Sequence, residues 1–438
     1  MIACSKFLEK NPDSSQAPPT TIDGYQLLLD NDLLTVRSTP GLSPFVADEL
    51  VLSRANTADP YWALYTWQPA VYQPAAITDN SWKGPYQAIH YANVTIQEMP
   101  NLPASERANT TTYNAVYGSA FFYRALHYFF LEETFGQPYK PETATTANGV
   151  LLRLGIDPQE QVVRSTVAAV YDQMVSDLLT AARLLPVAVQ RDHINRPCRP
   201  AAYALLARVW LVRQDYAAAL RFADSCLLLN DALLHYDTVN ATNPHVFDAA
   251  GNQELLFQCS GAEYAQLFAP TTVVDSALYA SYDKNDLRRS LFFQPGRSGE
   301  GVSFRGYYSF GHLTFSGCAL DEVYLIHAEC SARLGDLTSA LSYLNKLMAT
   351  RFNPGTFLPY TAATPGEALG LVLVERKKEL VYRELRLIDL RRLNQDERFA
   401  LTIRRPSGDS LKPGDARYTL LIPELEIERS KISQNPVN

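Results

Sequence analysis

The chain has 438 residues, of which 47% are hydrophobic and 19% are charged, and its formal net charge is −7. This composition is typical of a globular protein and argues against a disordered, collagen-like or coiled-coil chain. The excess of acidic over basic residues also argues against a nucleic-acid binder, which needs a basic surface for phosphates.

The N-terminus carries a cysteine in the context of a lipid-anchor site. Cys4 follows Ile2 and Ala3, and an apolar residue and a small residue directly before a cysteine resemble the end of a bacterial lipoprotein signal. The alternative is a cysteine that stands there by chance. The residues after Cys4 are polar and rich in proline and serine, so we expect 1–20 to be a flexible tether. No apolar run approaches the roughly 18–20 residues that a membrane-spanning helix needs.

Short helices and loops are predicted for the N-terminal half of the chain. Apolar residues at helical spacing predict helices over 21–34, 44–53, 82–99, 114–135 and 166–185. Thr21 or Asp23 should cap the first of these helices, and Gly136 and Pro186 should end the last two. Repeated prolines predict a loop over 56–81.

Two segments further along the chain, 200–233 and 320–353, share a tetratricopeptide pattern. Each has small residues at the spacing that lets two antiparallel helices approach closely, on both sides of a tight turn. The segment 236–318 between them is rich in Gly, Ser, Phe and Tyr, with strand-like runs at 255–257 and 302–304. A further helix is predicted over 366–393, followed by a proline-rich extended tail.

No catalytic, cofactor or metal-binding motif is present in the sequence. The chain lacks G-x-S-x-G, H-E-x-x-H, the Walker A loop and G-x-G-x-x-G. Its six cysteines show no C-x-x-C spacing, and we expect most of them to be buried free thiols. Catalytic carboxylates can be far apart in sequence, so an enzyme is not excluded, but no pattern favours one. We therefore predict no cofactor and no metal ion.

Aromatic residues outside the helical pattern are the best candidates for a binding site. Trp62, Trp67 and Tyr72 lie in the proline-broken segment, and Tyr307 and Tyr308 lie in the long insertion. Because loops run over the surface, we expect these five rings to form part of one exposed ligand-binding face. Flat rings suit the C–H faces of sugars. The alternative is that the rings only pack the loops onto the helices.

Eight segments match one family pattern in chain order. They include W-x3-Y-x2-I-x2-A-N over 82–93, AFFYRAL over 120–126 and DLRRL over 389–393, with further matches at 4–12, 204–209, 282–288, 321–329 and 422–436. Together they resemble the SusD/RagB family of outer-membrane lipoproteins of the Bacteroidetes. One departure is His327, which stands where the family usually has arginine.

The resemblance implies a mostly α fold, in which tetratricopeptide-like helix pairs form a right-handed bundle with a loop-rich, irregular ligand-binding face. The implied single domain covers 21–438. Its helix pairs are expected at about 112–185, 200–233, 320–353 and 366–393, with the loop-rich insertion at 236–318.

The resemblance also implies a lipoprotein of the outer membrane, exposed at the cell surface and anchored through Cys4. Such a protein captures a glycan and passes it to a SusC-type TonB-dependent porin. A peptide- or protein-binding helix-repeat scaffold of the RagB kind is the alternative, and a hydrolase is a third hypothesis. No ligand-contact motif of the family transfers to particular residues.

Overall fold

The computed structural model of the protein describes residues 18–52, 60–68, 79–157, 159–247, 251–309 and 311–436. Cys4, Tyr72 and most of the predicted tether lie outside these residues. The division of the chain into a tether and one domain stays a prediction. Side chains from Ile22 to Ile432 nevertheless share one contiguous hydrophobic core.

Helices form the framework of the described chain, in agreement with the predicted fold class. They are α1 (Ile22–Leu29), α2 (Ser43–Val46), α3 (Pro60–Tyr65), α4 (Gly84–Glu98), α5 (Ala104–Arg107), α6 (Thr110–Phe135), α7 (Val167–Leu184), α8 (Arg199–Val212), α9 (Tyr216–Leu229), α10 (Ser276–Ala280), α11 (Arg288–Leu291), α12 (Leu320–Arg333), α13 (Leu337–Ala349), α14 (Pro365–Glu379), α15 (Arg386–Leu393) and α16 (Glu424–Ser430). None of the helices in the described ranges is long and apolar enough to cross a membrane.

Capping residues set the ends of these helices as the sequence predicts. The Thr21 side chain accepts a hydrogen bond from the backbone of Gly24 at the start of α1. α6 ends at Gly136, and the side chains of its second half are buried on nearly every side. It packs against α4 and α7, so it is the central helix of the N-terminal half.

The two predicted tetratricopeptide segments are helix hairpins. α8 and α9 pack against each other, as do α12 and α13, and α9 also packs on α12. The turn residues are Gln214 and Gly335, with φ angles of 62° and 91°. The aspartates that follow them, Asp215 and Asp336, each accept a hydrogen bond from the backbone three residues on, at 2.9 Å.

Three of the predicted elements are wrong. The helix over 44–53 is only the single turn α2, because Leu50–Leu52 pairs with a strand of the insertion. Part of the predicted loop forms α3. The predicted helix over 366–393 is broken between α14 and α15, where Tyr382 and Glu384 are left-handed. The buried Glu49 carboxylate accepts the Tyr382 backbone N–H at 2.9 Å and stabilises this break.

The strands of the described residues form five short antiparallel pairs. They are β1 (Leu50–Leu52) with β5 (Thr272–Val274), β2 (Asn148–Leu151) with β3 (Arg164–Thr166), β4 (Leu255–Phe257) with β8 (Cys318–Ala319), β6 (Phe293–Pro295) with β7 (Val302–Phe304), and β9 (Ile403–Arg404) with β10 (Ser410–Leu411). The strands at 255–257 and 302–304 confirm the sequence prediction. They fold the insertion back onto the helices.

Buried ion pairs join the insertion to the helix hairpins. Arg288 contacts Asp286, Glu375 and Glu379, and Arg351 contacts Glu254 and Glu379, all at 2.6–2.9 Å. Asp286 and Arg288 belong to the insertion, whereas Glu375 and Glu379 lie on α14. These charged groups therefore hold the insertion in place. Removing one of them would leave a partner's charge buried without its full pairing, which is destabilising.

The cysteines of the described residues are free and buried, as expected. They are Cys198, Cys226, Cys259, Cys318 and Cys330. Burial raises the pKa of each thiol, so these side chains act as small apolar groups.

Candidate functional site

The described parts of the segment 38–68 and of the insertion 236–318 lie against each other. β1 pairs with β5 in register from Leu50 opposite Val274. The Tyr264 hydroxyl donates a hydrogen bond to the carbonyl oxygen of Pro40 at 2.7 Å. The ring of Tyr61 packs on the ring of Tyr264 with centroids 5.8 Å apart. The two aromatic-rich segments of the sequence are thus neighbours in space.

Trp62 lies on α3 and is half-buried. One side of its ring packs on Tyr65, at 5.6 Å between centroids. Tyr61, the preceding residue, is also half-buried and stacks on Phe45 at 5.3 Å. Both rings pack on core aromatic rings and remain half-buried.

Trp67 is a core residue, so the expectation that its ring is exposed is wrong. Only 4% of the residue is accessible. Its indole N–H donates to the carbonyl oxygen of Val46 at 3.0 Å, and the Arg405 guanidinium lies 4.4 Å from its ring. The burial of Trp67 could not be predicted from the sequence, because its partner Arg405 is remote along the chain.

Tyr307 and Tyr308 are also buried, with 7% and 0% of each residue accessible, so their expected exposure is wrong too. The Tyr308 hydroxyl contacts the Glu254 carboxylate at 3.0 Å, and Arg383 lies 3.4 Å from its ring. Tyr308 therefore belongs to the buried polar interior. Tyr307 packs edge-on beneath a more exposed ring, Phe268, at 6.2 Å.

The insertion displays rings that the sequence analysis did not single out. Phe268 is half-buried, and His312 and His245 are exposed. His312 lies 5.8 Å from Phe268 and 5.9 Å from His245. Phe268 could have been singled out from the sequence, because it follows Tyr264 in the insertion at helical spacing. Nothing in the sequence brings His245 and His312 together, because 66 residues separate them.

We use the name loop face for five half-buried or exposed rings of these two segments. It consists of Tyr61, Trp62, His245, Phe268 and His312. Burial lowers the pKa of His312, and the neighbouring His245 and Arg297 lower it further. The neutral imidazole of His312 is therefore favoured at neutral pH.

Polar groups border the loop face. Arg37, directly before the first segment, and Glu263 of the insertion form an exposed ion pair at 2.5 Å. Arg297 donates to the carbonyl oxygen of Phe268 at 3.3 Å. Hydroxyl groups of a ring-shaped ligand would find donors and acceptors at this border while its apolar side lies on the rings. Within the described ranges, no three His, Cys, Asp or Glu side chains are placed to hold a metal ion.

Two family models match the chain. Residues 6–211 match a SusD-like model described as starch-binding and associating with the outer membrane. Residues 320–422 match the SusD/RagB model, described as the SusD family. The matches follow each other in chain order and lie on the two sides of the loop-rich insertion.

Individual relatives agree with these models. The SusD-like protein P2 of Formosa agariphila is 24% identical, over 78% of this chain and 76% of its own length. A SusD superfamily protein of Bacteroides thetaiotaomicron superposes with a TM-score of 0.78 at 22% identity, covering 95% of this chain and all of the other. A SusD-like carbohydrate-binding protein of Bacteroides vulgatus superposes with a TM-score of 0.74 at 17% identity, covering 94% and 97%. The structural likenesses establish the fold.

Proposed function

We propose that this chain, which belongs to the SusD/RagB family, binds glycans at the cell surface and delivers them to a SusC-type TonB-dependent transporter. The observation that carries the proposal is the loop face, whose half-buried or exposed rings belong to two segments that lie against each other. Tyr61, Trp62 and Phe268 pack on the buried rings of Phe45, Tyr65 and Tyr307. These three rings are therefore preorganised, which lowers the entropic cost of binding.

The loop face suits binding rather than cleavage. Ring stacking accepts the C–H side of any pyranose, whereas hydrolysis of a glycosidic bond needs two carboxyl groups that flank it. Glu263 is the one carboxylate that we place at this face, and it is paired with Arg37. We infer that the protein captures its glycan without cutting it. Incubation with the bound polysaccharide should release no reducing ends, and release by the purified chain would contradict this.

Affinity electrophoresis tests the glycan proposal. The purified chain should migrate more slowly through native gels that contain a cognate polysaccharide, taken from a panel of α-glucan, β-glucan, xylan, mannan and pectin. Trp62→Ala and Phe268→Ala should each weaken the binding free energy by about 1–3 kcal/mol, as for other aromatic platforms, and should therefore reduce retardation. The matched control is Phe222→Ala, which removes a half-buried ring on α9. Equal retardation of all three variants would contradict the proposed site, and retardation by no polysaccharide would contradict the function.

The family's association with the outer membrane supports a further part of the proposal, a lipid anchor at Cys4. We propose that this cysteine is acylated and that the residues up to 20 tether the domain to the membrane. Stable anchoring needs at least two acyl chains, because a single chain binds only marginally. Metabolic labelling with a fatty acid should mark the full-length precursor in its host and not Cys4→Ala. Equal labelling of both would contradict the anchor.

A further inference from the structure

A pocket outside the loop face lies on the insertion. Its volume is about 380 Å³, within the range of roughly 300–1,000 Å³ that is usual for small-molecule sites. The end of α10, the segment 284–290 and the hairpin of β6 and β7 form its walls, together with Asn353 after α13. We call it the insertion pocket, and none of the five loop-face rings lines it.

Two cationic side chains of the pocket have no acidic partner. Arg289 is half-buried and Lys284 is exposed, and both residues line the pocket. Within the described part of the chain, neither side chain forms an ion pair or donates a hydrogen bond. Their N–H groups are therefore available to a ligand with acceptor oxygens.

The carboxylate that lines the pocket is already neutralised. Among the described lining residues only Asp286 is acidic. Its side chain is fully buried and contacts Arg288 at 2.7 Å and Lys378 at 3.5 Å. The pocket thus carries two uncompensated positive charges, although the net charge of the chain is −7. Such a pocket attracts an anionic group.

Arg289 is held in place before a ligand arrives. Its guanidinium carbon lies 5.0 Å from the centroid of the Tyr279 ring, which also lines the pocket. The Tyr279 ring in turn packs edge-on against the buried ring of Phe293, at 5.4 Å between centroids. A cation–π contact gives no N–H group an acceptor atom. The guanidinium can therefore still donate to a carboxylate or a sulfate, in the paired geometry that arginine favours.

The backbone that carries both cations is fixed to the helical framework. The guanidinium of Arg288, next to Arg289, pairs with two buried carboxylates of α14 at 2.6 and 2.9 Å. The carbonyl oxygen of Asn285, next to Lys284, accepts the backbone N–H of Asn353 at 3.0 Å. Groups that are ordered in advance lose less entropy when a ligand binds, so these contacts favour binding.

The rest of the lining is compatible with a sugar ring. Pro295 is exposed and Val302 is half-buried, so apolar surface is accessible beside the cations. Gln294 adds a half-buried side-chain amide, which can exchange hydrogen bonds with hydroxyl groups.

We propose that the insertion pocket binds the acidic group of a charged sugar, which is the carboxylate of a uronate or a sulfate ester. Arg289 and Lys284 donate to the oxygens of the acidic group, and the remaining lining contacts the sugar ring. That the ligand is a sugar rests on the proposed function, whereas the preference for an anion rests on the pocket alone.

Saturation-transfer NMR tests this inference with glucuronate, galacturonate and glucose 6-sulfate as acidic probes, and with glucose and galactose as neutral probes. At least one acidic probe should bind, and the uronates and the sulfate ester distinguish the two acidic groups. Arg289→Gln should weaken that probe about tenfold, the effect of a hydrogen bond between charged groups, and should leave the neutral sugars unchanged. Lys284→Gln should weaken it about threefold, as for an exposed ion pair.

The matched control is Arg221→Gln, which removes an exposed arginine on α9 and should bind as the wild type. Thermal melting of all three variants checks that they are folded. If Arg289→Gln unfolds, Lys284→Gln carries the test, because its side chain is exposed.

Four results would overturn the inference. They are binding of no acidic probe, unchanged binding of every acidic probe in the folded pocket variants, equal weakening of acidic and neutral sugars, and equal weakening in Arg221→Gln. Inorganic sulfate separates a sugar from a free anion. If it displaced the acidic probe completely at the same concentration, the pocket would be a site for a free anion, which contradicts a sugar ligand.

Failure of this inference is distinguishable from failure of the proposed function. Trp62→Ala lies outside the pocket and should bind the acidic probe as the wild type. Loss of that binding in Trp62→Ala but not in Arg289→Gln would place the acidic sugar at the loop face, which would overturn the inference and support the proposed function. Retardation by no polysaccharide, with binding of the acidic probe intact, would contradict the proposed function and leave the pocket.

Discussion

The two helix hairpins, α8–α9 and α12–α13, use the same turn with different residues. In each, a left-handed residue ends the first helix and an aspartate caps the second. Gly335 adopts this conformation without strain, and no atom lies within 4 Å of the position its Cβ would take. Gln214 adopts it at a cost. The comparison teaches that the turn geometry is common to both hairpins, whereas the side chain of Gln214 adds a hydrogen bond to Gln395 at 2.8 Å.

The hairpins differ again six residues before each turn. There the first hairpin buries a cation, Arg208, and the second buries an anion, Glu329. Arg208 pairs with Glu322 of α12 at 2.5 Å, so it joins the two hairpins. Glu329 pairs with Arg392 of α15 at 2.5 Å and joins the second hairpin to the C-terminal helices. Equivalent positions thus carry opposite charges because each hairpin faces a different neighbour.

The largest effect is expected from Arg208→Met. The change leaves the Glu322 carboxylate buried and partly unpaired, so the free energy of unfolding should fall by about 3–5 kcal/mol. Urea denaturation of the variant and the wild type measures this. The double variant Arg208→Met/Glu322→Leu should recover much of the loss, because it removes both charges. A single variant as stable as the wild type would show that the ion pair does not join the hairpins.

The second-largest effect on stability is expected at Glu329, and it depends on pH. Burial alone would raise the pKa of its carboxyl, but the guanidinium groups of Arg392 and Arg333 outweigh burial and lower the pKa to about 2. Because the folded pKa lies below the unfolded value, the contribution of Glu329 is complete above about pH 4.5 and is lost as the pH falls toward 2. The shift corresponds to about 3 kcal/mol.

Urea denaturation at a series of pH values tests this with Glu329→Gln. The difference in stability between the wild type and the variant should be largest near pH 6 and should shrink steadily between pH 4.5 and 2. The variant controls for the other buried carboxyl groups, which titrate in both proteins. A difference that stays constant with pH would mean that the pKa of Glu329 is the same in the folded and the unfolded protein.

The smallest effect is expected from exchanging the turn residues. Gly335→Gln should lower the free energy of unfolding by about 1 kcal/mol, because the left-handed conformation strains a side chain that has no partner there. Gln214→Gly should change stability by less than about 1 kcal/mol, since relief of strain offsets the lost hydrogen bond to Gln395. Thermal melting of both variants gives the two values. If Gly335→Gln stabilised the protein, or if Gln214→Gly strongly destabilised it, the account of strain at the two turns would be contradicted.

The features that could be predicted from the sequence are those with local causes. The helix cap at Thr21, the stop at Gly136 and the spacing of small residues in the hairpins act within a few residues of one another. The errors come from remote partners. The chain breaks near Tyr382 because Glu49 accepts its N–H, and Trp67 is buried because Val46 and Arg405 surround its indole.

The candidate site also has features that can be predicted from the sequence and features that cannot. The sequence showed that two aromatic-rich segments lie outside the helical pattern, and these segments do meet. It could not distinguish Trp62, which is half-buried on α3, from Trp67 five residues later in the core. It also could not pair His245 with His312, because that contact depends on the folding of the whole insertion.

The central claim is that the loop face binds a glycan, and calorimetric titration tests it most directly. Oligosaccharides prepared from the polysaccharide that retards the chain most should be titrated into the wild type and the double variant Trp62→Ala/Phe268→Ala. We predict a saturable heat for the wild type and an affinity at least about tenfold lower for the double variant, with thermal stability close to that of Phe222→Ala. An unchanged affinity in the double variant, or no heat with the wild type, would contradict the claim.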